Sequence, residues 1–173
     1  MSEEVIFTEE NGIGIITLNR PDRLNALTYP MVQKINKYLN SWEISEHINC
    51  VIIEGAGDKS FCAGGDVIKL RKEVLEDGGP PTNLSQSFFY DEYTLNFKIS
   101  NFKKPFISLI NGYTMGGGVG VSMHGSHVVA SEKTMFAMPE TAIGLFPDVG
   151  GGWLLGQLDR GIGAWLSLVG ARI

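Results

Sequence analysis

Hydrophobic and polar positions fall into short blocks along this chain, and the period inside each block predicts an element. In VIFTEENGIGIITLN two strand-like runs meet across Asn11-Gly12, a dipeptide suited to a tight hairpin because both residues tolerate positive φ. Behind Thr28, a natural capping residue, Val32, Ile35, Leu39 and Trp42 recur at helical spacing, so YPMVQKINKYLNSW is predicted as an amphipathic helix. The short apolar run CVIIEG predicts a strand covered on both faces. VIKLRKEVLED and SQSFFYDEYTLNFKI read as helices on either side of a break at GGPPTN. FISLI is another strand, followed by a glycine run and its helix, and HVVAS and TMFAM read as short strands around SEK. The last stretch, GGGWLLGQLDRGIGAWLSLVG, reads as apolar helices interrupted by glycine.

Two blocks share one plan. VIIEGAGDKSFCAGGDVIKL and FISLINGYTMGGGVGVSMHG each run from an apolar strand through a loop with paired glycines into a helix. Repeated units of this kind stack, and both glycine loops then emerge at the same strand ends, where parallel sheets bind ligands. The predicted fold class is therefore α/β.

Composition changes this picture mainly through glycine. There are 22 in 173 residues, and they cluster. Gly116, Gly117, Gly118 and Gly120 stand where a helix begins, and each costs roughly 1 kcal/mol relative to alanine in a helix interior. Either close packing or the approach of backbone to a ligand must offset that. The formal net charge of −5, with no basic run, argues against a nucleic-acid partner. No apolar run is long enough to cross a bilayer, and the start carries no signal-like or transit-like segment. Cys50 and Cys62 form neither a disulfide framework nor a metal motif, so a reducing compartment is expected. His124 and His127 are three apart without an evident third ligand, and no metal is expected.

Nucleotide readings of the glycines fail. No Lys-Ser/Thr follows them as a phosphate loop requires, and Gly116-x-Gly118 lacks the third glycine of a dinucleotide fingerprint because position 121 is Val. What remains is a pair of free N–H groups, one from each loop, aimed at one oxygen that gains negative charge in a reaction.

LNRPDRLNAL, FCAGGD, NGYTMGGGVG and AMPETAIGLFPDVGGG resemble the enoyl-CoA hydratase/isomerase (crotonase) superfamily, and the last two together its 3-hydroxyisobutyryl-CoA hydrolase branch. The resemblance runs from about Val5 to Arg172. It implies a spiral of ββα units, C-terminally truncated, with residues 1–173 forming a single domain that lacks the family's last strand and helices. It also implies an oxyanion hole at Gly65 and Gly117. The acid that a hydratase of this superfamily carries in the glycine-loop helix falls at position 120, which is Gly here, whereas Glu140 fills the second acidic position.

The implied activity is hydrolysis of a short β-hydroxyacyl-CoA thioester, 3-hydroxyisobutyryl-CoA foremost, as in valine catabolism. Glu140 would activate water or attack as a nucleophile. Its apolar neighbours in FAMPETAIGLF predict partial burial and a raised pKa. Asp148 would act with it. On pattern alone Asp148 reads equally well as a cap for VGGGWLL, and Glu92 as an acid on a helix surface. The resemblance makes both substrate-contacting residues, together with Gly117 and Glu140. Arg20, Arg23 and Lys69 read as surface charge in reach of CoA phosphates. Coenzyme A enters as part of the substrate, no separate cofactor is expected, and oligomeric state is open. The expected location is the mitochondrial matrix or cytoplasm. Another crotonase-type hydratase or isomerase, and a non-catalytic CoA-binding fragment, are the alternatives.

Overall fold

The computed structural model describes residues 3–76, 78–79 and 81–173. The first hairpin forms as the sequence predicts: β1 (Val5–Glu10) and β2 (Ile13–Leu18) pair antiparallel, and Asn11 and Gly12 turn the chain at φ of 51° and 81°. Helix α1 (Tyr29–Ile44) starts at Thr28, whose hydroxyl accepts the Met31 N–H, and Pro30 sits in the first turn where no N–H is needed. Its stripe of Met31, Val32, Ile35, Leu39 and Trp42 is buried.

Next come β3 (Cys50–Gly55), β4 (Ser60–Cys62), α2 (Val67–Glu76) and α3 (Asn83–Ser100). The predicted continuation of α2 to Asp77 lies outside the described residues. A capping box opens α3: Thr82 Oγ1 accepts the Ser85 N–H, and Ser85 Oγ accepts the Thr82 N–H. Then follow β5 (Phe106–Ile110), β6 (Tyr113–Met115), α4 (Gly117–Ser122), β7 (His127–Ala130) and β8 (Met135–Ala137). A 3-10 turn at Glu140–Ile143, α5 (Gly151–Gly156) and α6 (Arg160–Val169) close the order.

The long strands form one sheet in the order β1-β2-β3-β5-β7, parallel from β2 onward. The three-residue strands form a second, wholly parallel sheet, β4-β6-β8. From β3 onward each strand of the large sheet is followed by a short one in the other sheet, and the pairs β3-β4, β5-β6 and β7-β8 are successive turns of one spiral. HVVAS and TMFAM are strands as expected, β7 pairing with β5 and β8 with β6, so SEK passes from one sheet to the other. One expectation changes. CVIIEG buries Val51 and Ile53 fully, while its other face is half-buried.

The main core lies between the large sheet and helices α1 and α3. Ile16, Leu18, Val51, Ile53 and Phe106 meet the α1 stripe and Leu95 and Ile99 of α3. Each such side chain contributes about 1.5–3 kcal/mol when fully buried. A second cluster of Val119, Met138, Val149, Leu155 and Leu166 joins α4 to the last helices. The site is built along the seam between the clusters.

Candidate active site

The glycines of both loops are forced by close approach. Gly116, at φ 50° and ψ −122°, takes a backbone shape foreign to other residues and lets the chain enter α4 directly from β6. A methyl on Gly118 would collide with the Cys62 carbonyl oxygen, so α4 rests on the backbone of β4. A methyl on Gly117 would lie 3.2 Å from the Gly65 nitrogen and would collide with Glu92 Oε1. The two loops therefore touch at the pair of residues whose amides the sequence singles out. Among the described residues neither the Gly65 nor the Gly117 N–H donates a hydrogen bond. Gly117 is the first residue of α4, where unpaired amides carry the helix's positive end.

Three carboxylates surround this gap. Glu140 opens the 3-10 turn after β8 and is buried at 7% exposure, and a methyl on Gly116 would lie 2.7 Å from its Oε1. Its Oε2 is buried without a hydrogen-bond partner. Burial raises its pKa from 4.5 to about 7, with the Asp148 charge adding to the shift and its own backbone N–H opposing it. Glu92, on α3, is 2% exposed, and its Oε1 is likewise unpartnered. Burial, then the charges of Asp148 and Glu140, push it up to about 8. Asp148 is half-buried and accepts a 2.6 Å hydrogen bond from the Tyr93 hydroxyl.

Glu92, Glu140, Asp148, Gly65 and Gly117 all line one cavity of about 250 Å³, walled by Leu70, Phe88, Phe89, Ile143 and Leu145. The structure thus brings together every site residue read from the sequence. It corrects two pattern readings. Glu92 is not a surface acid, because α4 covers it. Asp148 does not cap α5, whose N-cap is Gly150; its side chain turns to Tyr93 instead. Arg20 is also reassigned: it bonds the Ala26 carbonyl oxygen and pairs with Asp66 and Glu4, so it braces the first glycine loop. Arg23 and Lys69 are exposed.

Three neighbours were not singled out for the site. Tyr93 and Asn96 follow Glu92 on α3 by one and four positions, a spacing that places Asn96 on the same face. The Asn96 amide is buried against Gly120, where a methyl would lie 2.8 Å from its Nδ2 and 2.7 Å from Val149 Cβ. His124 donates from Nε2 to the Val149 carbonyl oxygen at 2.7 Å. No group of His, Cys, Asp and Glu among the described residues suits a metal ion.

Two main-chain amides without hydrogen-bond partners and a buried carboxylate with a raised pKa line one partly apolar cavity, an arrangement able to stabilise an oxyanion next to a proton-transfer group. A model of the enoyl-CoA hydratase/isomerase family matches residues 13–173, and the chain belongs to that family. It is 52% identical over 170 residues to a mitochondrial 3-hydroxyisobutyryl-CoA hydrolase of Danio rerio, covering 98% of this chain and 44% of that protein. It is 48% identical over 172 residues to the protein of that name in Homo sapiens, covering 99% and 44%. Among solved structures, a carnitinyl-CoA dehydratase from Mycobacterium thermoresistibile superposes with a TM-score of 0.94 at 40% identity, covering 99% of this chain and 49% of that one. The chain spans less than half the length of these relatives.

Proposed function

We propose that this chain carries the catalytic core of an acyl-CoA thioester hydrolase acting on short β-hydroxyacyl chains, with 3-hydroxyisobutyryl-CoA as the first substrate to test. The observation that carries the reading is the pair of unpaired amides at Gly65 and Gly117, lining one cavity with Glu140. The amides hold the thioester oxygen, and each such donor is worth roughly 3–4 kcal/mol as negative charge develops there. Glu140 takes a proton from the attacking water as the new C–O bond forms. The C–S bond then breaks, and the proton passes from Glu140 to the departing sulfur. A pKa of about 7 suits both transfers near neutral pH. Asp148 and Glu92 hold the acyl hydroxyl, and Glu92, neutral below about pH 8, can donate to it.

Gly120 favours hydrolysis over hydration. A second acid at that position would meet Asn96 and Val149, so the site offers no room for it. The relatives named as mitochondrial hydrolases support the same substrate and a mitochondrial location. Among the described residues no helix is long and apolar enough to cross a membrane.

Thiol release from 3-hydroxyisobutyryl-CoA, run beside hydration of crotonyl-CoA, tests the proposal. Release of CoA from the first with no change in the second is the expected result, and the reverse pattern refutes it. Glu140→Gln should slow thiol release by about 10²–10⁴-fold with an unchanged circular-dichroism spectrum. A variant that hydrolyses normally would remove Glu140 from the chemistry.

A further inference from the structure

Asp148 forms part of the wall of two adjoining cavities, the 250 Å³ site and an open groove of about 560 Å³ that also touches Tyr93, Asn96, His124 and Trp153. Its position depends on an unusual piece of backbone. The next residue, Val149, is β-branched and buried, yet its φ is 45°. A β-branched residue is rarely found in that region, and it stays there only when its surroundings impose it. Two side chains from other elements impose it here. From just beyond the C-terminal end of α4, His124 donates to the Val149 carbonyl oxygen at 2.7 Å. From α3, the Tyr93 hydroxyl donates to Asp148 Oδ2 at 2.6 Å. Gly150, at φ 78°, leaves room for the imidazole, since a methyl there would lie 2.6 Å from its ring.

We propose that Tyr93 and His124 are positioning residues that clamp the Asp148–Val149 step and so aim the Asp148 carboxylate at the site. The two donors act at consecutive residues, one on the side chain and one on the main chain. Neither touches the Gly65–Gly117 gap. Helix α4 therefore serves the site at both ends, supplying an oxyanion amide from its first residue and presenting His124 just after its last turn. The role assigned to Asp148 rests on the thioester-hydrolase reading, but the clamp has its own readout. Asp148 is among the groups that raise the pKa of Glu92, along with burial and Glu140, so freeing it should lower that pKa.

The test is an NMR titration of carbon-13-labelled glutamate carboxyls, together with thioester kinetics, in wild type, Tyr93→Phe, His124→Leu and His124→Gln. In Tyr93→Phe and His124→Leu the Glu92 midpoint should fall below about 8, while burial still holds it above 4.5. For the same two variants, kcat should drop about 10- to 100-fold with little change in KM. His124→Gln, whose side-chain amide can still donate to the Val149 carbonyl, should restore both. An unchanged midpoint and rate in Tyr93→Phe and His124→Leu would overturn the clamp. So would a His124→Gln protein as impaired as His124→Leu. If wild type releases no CoA but the midpoint still falls in the variants, the clamp stands and the hydrolase reading fails. Tyr93 is 40% exposed and its replacement removes one oxygen, so that variant decides the matter even if His124→Leu does not fold.

Discussion

Glu92 and Glu140 differ in burial and in the charges they face, and their protons should leave in order. Glu140 titrates at about 7 and Glu92 at about 8. If the first must be ionised and the second neutral, kcat/KM for thioester hydrolysis rises through about pH 7 and falls through about pH 8. A pH–rate profile with a single rising limb would show that Glu92 need not hold its proton. Stability follows the same carboxyl in a fixed direction. Its folded pKa lies above the ordinary 4.5, so folding favours the protonated form. Below about pH 4.5 both states hold the proton, and from there to about pH 8 the unfolded chain releases it first, so stability falls. Glu92→Gln has no proton to lose. Thermal melts should therefore show its advantage over wild type growing across that window. The helical pattern of α3 could not reveal this burial, because the covering residue, Gly117, lies 25 positions further along the chain. Glu140 was legible, since its apolar neighbours in sequence are also its neighbours in space.

Helix α4 shows how an element can be short, poor in propensity and still fixed. Six residues long, with Gly117, Gly118 and Gly120 inside it, it survives by lying directly on β4 and against α3. Gly118→Ala would drive a methyl into the Cys62 carbonyl, a rigid neighbour, and should cost about 1–3 kcal/mol in urea denaturation. Gly117→Ala meets a more yielding obstacle in Glu92 Oε1, but it also crowds the Gly65 nitrogen. It should therefore lose thioester hydrolysis more completely than it loses stability. Denaturation and kinetics on the two variants would show this contrast. The sequence pattern marked the glycines and the long strands. It passed over β4 and β6 because each is three residues long and runs straight into a glycine loop, whose irregular pattern hides it. It found β7 and β8 but not their partners, since pairing across sheets is decided by the turn of the spiral.

At the scale of the molecule, the two parallel sheets rise together, one rung each per turn, and bring the loops after β4 and β6 to the same side. That convergence was legible from the repeated strand–loop–helix plan, and the family resemblance supplied the spiral. The surface was less legible. Helices α5 and α6 and the link between them leave Trp153, Leu158, Ile162, Trp165, Leu168 and Val169 exposed. Exposed apolar area of this kind binds dyes and other apolar surfaces. An increase in anilinonaphthalene sulfonate fluorescence is expected, together with concentration-dependent sedimentation. A protein that stays monomeric and dark to the dye would contradict this.

The crowding of Glu92 against Gly117 has one more consequence. A tetrahedral anion such as a phosphonate analogue of the thioester, seated between the two amides, would lie beside the two buried glutamates and draw protons onto Glu92 and Glu140. Its calorimetric heat should then vary with the ionisation enthalpy of the buffer, and its affinity should weaken as the solution is made alkaline.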